Sequence, residues 1–266
     1  LILSLMVLSF TYGLIAGAYR YEPYETVRTY YRQFITNEFD TLNPIHLKND
    51  VSSLIFIKSE EDIIKKRNRL IRYIWRNSFP DSKMPLSVEN GITDSRYFDL
   101  KNLERIDKIT VSMDYGLNSV IYHFQPVKSD AKLIIYHQGH EGDFIAGKNT
   151  IQFFLDKGYS VMAFSLPLLG MNNQPVVDLK YLGKMKLTSP SHLEILETSS
   201  FSPIKFFLEP ITISLNYIEK NFDYDSISMI GLSGGGWTTT LYSAIDPRIS
   251  RSYPVAGSLP IFLRTG

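Results

Sequence analysis

The spacing of apolar residues divides the chain into three stretches. Leu1 to Ala18 is almost wholly apolar, and Arg20 is the first charged residue. From Tyr21 to about Asp99 apolar residues recur at helical spacing among many charges. This predicts one helix over Tyr24 to Phe39, with Val27, Tyr31, Phe34 and Ile35 on one face. A second helix begins at Ser59-Glu60-Glu61-Asp62, where a serine oxygen can accept from the first free backbone N–H groups. Ile63, Ile64, Leu70, Ile71, Ile74 and Trp75 give that helix an apolar stripe, and Lys65, Lys66, Arg67 and Arg69 are expected on its solvated face.

From Ile106 the period becomes two. Ile106 to Met113 and Leu117 to Phe124 alternate around a turn at Tyr115-Gly116, which predicts a β-hairpin. Lys132 to Tyr136 and Tyr159 to Phe164 read as buried strands, with a helix from Asp143 to Lys157 between them that ends at Gly158. Residues 166–202 show no regular pattern and carry several Pro, Gly and Asn, so they are expected to form a long insertion, the kind of segment that often serves as a lid or binding loop. Pro203 to Phe222 is helical, with Pro210 as a kink or a second start. A strand over Ile227 to Ile230, a helix ending at Asp246-Pro247 and a strand near Arg251 to Ala256 follow. Strands that alternate with helices predict an α/β fold, an open and mostly parallel sheet with helices on both faces. In such sheets ligands bind at the carboxyl ends of the strands.

One stretch at such an end carries chemistry. Gly231-Leu232-Ser233-Gly234-Gly235 follows a short apolar strand and precedes a helix. Gly-x-Ser-x-Gly in that context fits a nucleophile elbow, which holds a serine hydroxyl exposed on a tight turn. Gly231 and Gly235 supply the room the turn needs. A phosphate-binding loop is the other glycine-rich candidate, but no Gly-Lys-Ser/Thr follows, and no cofactor is implied.

A second motif, His137-Gln138-Gly139-His140-Glu141-Gly142, follows directly on the strand ending at Tyr136. A glycine-bearing loop here can aim a backbone N–H at the oxygen that becomes negative during acyl transfer. His137, His140, Glu141 and Asp143 also raise a metal reading, but their spacing matches no recognised zinc pattern, and no metal is assigned. His46 and His123 read as structural, and His192 lies in the insertion.

Composition narrows the alternatives. The 266 residues can bury a sizeable core, and a formal net charge of +1 implies no nucleic-acid partner. The absence of cysteine excludes a thiol nucleophile and a thiolate metal site. Leu1 to Ala18 has the length of an export signal's apolar core, and Ala16-Gly17-Ala18 has the form of a cleavage site. A cleaved signal and a retained membrane anchor are equal readings, so the protein is expected outside the cytoplasm or bound to a membrane. The expected organisation is residues 1–18 as signal or anchor, 19–105 as a helical extension and 106–266 as the α/β core.

From Ile106 onward the chain resembles the α/β-hydrolase superfamily, and most of all its esterase and acetyl-xylan-esterase-like branch, with peptidase-like relatives. The likeness rests on the hairpin, the His-Gln-Gly-His loop, the Gly-Tyr-Ser-Val strand and the Gly-Leu-Ser-Gly-Gly elbow. It implies Ser233 as nucleophile, the N–H groups of Gly234 and His140 as oxyanion hole, Gly231, Gly235 and Gly139 as support, and a small-molecule ester as substrate. The family's acid and histidine follow the serine in the chain. Here only Asp246 and no histidine follow Ser233, and Asp246 is expected at the far end of the elbow helix, away from the site. The expectation is a chain truncated before its last strands, with little or no hydrolase activity of its own and prone to aggregate. A serine peptidase of the same fold and a non-catalytic binding module remain open, as does a membrane-anchored structural protein.

Overall fold

The computed structural model describes residues 2–19, 26–27, 30–31, 50–76, 78–180 and 182–258. The chain divides into two compact units, residues 1–56 with 261–266 and residues 57–260. In the first unit Ile2–Tyr19 forms helix α1, whose side chains from residue 5 to residue 15 are all exposed. Among the described residues no helix is long and apolar enough to cross a membrane. The helix predicted over Tyr24 to Phe39 falls outside the described residues except at 26–27 and 30–31, which are helical.

The second unit is built on a seven-stranded sheet. Its strands are β1 (Ser87–Glu89), β2 (Leu103–Ser112), β3 (Asn118–Pro126), β4 (Lys132–His137), β5 (Ser160–Phe164), β8 (Ser226–Leu232) and β9 (Ile249–Val255). They lie in the order β1-β2-β3-β5-β4-β8-β9. The hairpin side of the sheet is antiparallel, through β1·β2, β2·β3 and β3·β5. The pairs β4·β5, β4·β8 and β8·β9 are parallel. The hairpin turn fits its sequence: Tyr115 and Gly116 both take positive φ, which lets β3 fold straight back on β2.

Helices cover both faces because side chains on a strand alternate. Leu133 and Ile135 of β4 point into one core with Ile74, Trp75, Leu215 and Tyr242. These come from α2 (Glu60–Trp75), α4 (Lys205–Asn221) and α5 (Gly234–Ile245). Ile134 and Tyr136 point into the opposite core with Ile151 and Leu155 of α3 (Lys148–Leu155). The helix expected from Asp143 thus begins as a 3-10 turn, Phe144–Gly147, capped by the Asp143 side chain, and continues as α3. Pro210 lies inside α4 rather than at its start.

Three expectations change. Residues 166–202 are not irregular. They hold a two-stranded hairpin, β6 (Val176–Leu179) with β7 (Gly183–Lys186), and a 3-10 turn over Pro190–Leu196, pinned by buried Leu168, Val177, Leu187 and Leu193. Short strands with few apolar positions leave too little periodicity to read. On α2 the stripe is buried only at its C-terminal end, at Ile74 and Trp75, while Ile63 and Ile64 are 43% and 47% exposed. Arg67 on the expected solvated face donates to the Ala244 carbonyl at the end of α5 (3.2 Å).

Candidate active site

Ser233 sits between β8 and α5 with φ 54° and ψ −118°. A residue with a Cβ rarely adopts such a backbone, and it persists only where the surroundings over-determine it. The restraints are visible. The Ser233 N–H donates to the Val255 carbonyl of β9 (2.8 Å), and the Ser233 carbonyl accepts from Trp237 (3.0 Å) in the first turn of α5. The strand and helix also approach so closely that a Cβ on Gly231 would lie 2.2 Å from the Gly235 carbonyl oxygen. Any side chain there would push the helix off the strand, so the glycine spacing is a steric requirement of the turn.

The loop after β4 stands opposite. A Cβ on Gly139 would lie 3.0 Å from Ser233 Cβ, which measures how closely the loop passes the serine. The loop is anchored below by Gln138, whose N–H donates to the Phe164 carbonyl (2.9 Å) and whose side chain accepts from the Tyr136 hydroxyl. His137 is buried and stacked on Phe164, with Nδ1 3.0 Å from the Gln138 carbonyl. Burial lowers its pKa to about 4, so it is neutral at ordinary pH and acts in packing and loop orientation.

The two segments meet closely at Gly234 and His140: a Cβ on Gly234 would lie 2.7 Å from His140 Cε1. The N–H of Gly234 is the first of α5 and, like the other opening N–H groups of a helix, has no acceptor within it. Neither it nor the N–H of His140 donates to another described residue. Ser233, Gly234 and the His140 ring border one pocket of about 430 Å³, completed by Leu166, Pro190, Phe207 and Trp237. Among the described residues the lining holds no carboxylate and no lysine or arginine. A larger hollow of about 540 Å³ lies over β4, β8 and β9 and is lined by neither Ser233, Gly234 nor His140.

The sequence-predicted residues Ser233, Gly234, His140, Gly231, Gly235 and Gly139 are therefore brought together. The His140 ring, Leu166, Pro190, Phe207 and Trp237 were missed, because nothing in a sequence marks which apolar residues of an insertion and a distant helix line a cleft. The Ser233 hydroxyl has no hydrogen-bond partner among the described residues. Asp246 is buried beyond α5 and bound by Arg248 (Nη2 2.7 Å) and the Tyr242 hydroxyl (2.5 Å), as an acid outside the site would be. His123 is buried against Tyr224 (2.8 Å) and His192 accepts from the Thr188 N–H (3.3 Å) within its own turn; neither hydrogen-bonds to Ser233. Among the described residues no three His, Asp or Glu side chains converge as a metal site would require.

No protein-family model and no curated protein sequence matches the chain. Solved structures do. The acetyl xylan esterase of Paenibacillus sp. R4 is 16% identical, with 75% of this chain and 60% of that one covered, at a TM-score of 0.45. Acetyl xylan esterase 1 of Thermoanaerobacterium sp. JW/SL YS485 is also 16% identical, with 72% and 57% covered, at a TM-score of 0.48. An esterase of Pyrococcus furiosus is 15% identical, with 66% and 58% covered, at 0.44. The chain spans about 60% of the length of these esterases. The parallel run β5-β4-β8-β9, the strand–serine–helix elbow at its carboxyl end and the loop after β4 facing that serine make this an α/β-hydrolase fold.

Proposed function

We propose that this protein is a serine hydrolase acting on carboxylic esters. The observation that carries the reading is Ser233 held at φ 54° in an open pocket beside two amide N–H groups with no acceptor among the described residues. In this reading Ser233 Oγ attacks the ester carbonyl and the carbonyl oxygen becomes an anion. Gly234 and His140 donate to that oxygen. The alcohol leaves, and water then cleaves the acyl-serine bond, giving the acid and free serine. The uncharged, partly aromatic lining favours a neutral acyl group over a charged one.

A hydroxyl needs a base to attack quickly, and these 266 residues hold no histidine after Ser233. Turnover by this chain alone is therefore expected to be slow. A fluorophosphonate in excess at alkaline pH, where hydroxide takes the serine proton, tests the nucleophile without needing turnover. Its reaction forms an Oγ–P bond, breaks P–F, releases fluoride and passes the serine proton to solvent. Mass spectrometry of the intact protein should show one adduct on the wild type and none on Ser233→Ala; equal labelling of the two would sink the reading.

The same nucleophile and amides would serve a serine peptidase. Competition of labelling by small neutral esters but not by peptide amides favours the esterase. A binding module on this fold would leave Ser233 unreactive. The N-terminal apolar helix α1, exposed from residue 5 to residue 15, keeps export or membrane attachment as part of the proposal.

A further inference from the structure

An oxyanion donor is useful only if its N–H is held within a few tenths of an ångström of the developing charge. The loop that carries His140 has few fastenings of its own. Gln138 ties its first end to Phe164. Glu141 and Gly142 make no hydrogen bond to any described residue, and Gly142 has φ 101°. The next fixed point is Asp143, three residues past His140.

Asp143 is held from two sides. Its Oδ1 accepts from the Ile145 N–H (2.9 Å), capping the 3-10 turn that follows. Its Oδ2 accepts from Arg96 Nη1 (3.1 Å), which lies 47 residues earlier in the chain. Arg96 is itself clamped. Its Nε and Nη2 form a fork on the Asp94 carboxylate, with Nη2 at 2.6 Å, and Asp94 also accepts from the Tyr122 hydroxyl of β3 (3.0 Å). Arg96 Nη2 further reaches the Met171 sulfur (3.2 Å) in the insertion. One planar guanidinium thus joins the segment before the hairpin, the loop after β4 and the insertion that walls the pocket.

We propose that Arg96 is a positioning residue for the reaction: by gripping Asp143 while forked on Asp94, it sets the place of the His140 amide. This rests on the serine-hydrolase reading above. A lysine carries the charge but only one nitrogen, so it cannot hold both carboxylates in the same plane.

The test uses the rate of fluorophosphonate addition to Ser233 in the whole chain, followed by intact mass over a range of reagent concentrations. Loss of one oxyanion donor costs on the order of a hundredfold, and a displaced one less. Arg96→Met should lower the limiting rate at least tenfold, with half-saturation and the final labelled fraction unchanged. Arg96→Lys should recover only part of it. Unfolding would lower the labelled fraction instead of the rate, which separates a structural role. If Arg96→Met does not fold, Asp143→Asn keeps the cap and removes the charge, and should slow labelling in the same way. Wild-type rates in the folded Arg96 or Asp143 variant, with Ser233→Ala blocked, overturn the positioning role and leave the hydrolase reading standing. Labelling of Ser233→Ala, or none of the wild type, overturns that reading and the positioning role with it.

Discussion

Gly235 lies against the carbonyl of His137, so that a Cβ added to Gly235 would stand 2.1 Å from that oxygen. This contact locks the first turn of α5 to the end of β4, and so couples the serine to the loop opposite. A single methyl group cannot fit without moving backbone on both sides. Gly235→Ala should therefore destabilise the protein by about 1–3 kcal/mol, as overpacked cores do. Urea unfolding would read this as a lower midpoint at unchanged slope. A midpoint equal to wild type would mean that strand and helix can separate freely.

The strain at Ser233 makes an opposite prediction. A serine at φ 54° and ψ −118° carries a backbone cost that glycine does not. Ser233→Gly should raise stability by about 1 kcal/mol while removing fluorophosphonate labelling. A destabilised Ser233→Gly protein would show that the side chain, not the conformation, holds the turn.

Stability should also fall in mild acid. His123 and His137 are buried, and burial lowers both pKa values to about 4 from an ordinary 6.5. Between those values the unfolded chain binds protons that the folded chain does not, so stability rises with pH across this window and is lost as pH falls from about 6.5 toward 4. The slope should approach on the order of 1 kcal/mol per pH unit for each histidine. Asp94 works lower down: its fork with Arg96 holds its pKa at about 2, so its contribution persists until pH drops below about 4. Urea midpoints measured from pH 7 to pH 4.5 check the histidine window, and a flat profile would count against it.

Asp246 should matter for folding and not for chemistry. It is buried and bound by Arg248, through the backbone N–H and three guanidinium contacts, and by Tyr242. Removing one partner of a buried ion pair leaves the other charge without compensation, a loss of about 3–5 kcal/mol. Asp246→Asn should cost on this order, while the labelling rate of the molecules that remain folded stays at wild type. A tenfold slower rate in folded Asp246→Asn would make Asp246 a candidate for the catalytic acid after all.

Local sequence determined the elbow, the hairpin, the capped start of α2 and the strand-helix alternation, because each depends on contacts within a few residues. Ser59 caps α2 as expected, with Asp62 returning a bond to the Ser59 N–H, and Gly231 and Gly235 meet across one turn. The sequence also placed His140 and Ser233 at the ends of strands and so on the same edge of a sheet. Tertiary structure alone decided the rest. The order of strands, which sets β4 beside β8, is a long-range pairing with no local signature. The hairpin in the insertion owes its form to the leucines that bury it rather than to its own period. The pocket is closed by Leu166, Phe207 and Trp237, drawn from three separate segments. Arg96 shows the same limit: in the sequence it is one arginine among many, and only folding brings its guanidinium to Asp143. Motifs are legible where geometry is set by neighbours in the chain, and a site's walls and fastenings are not, because packing chooses them.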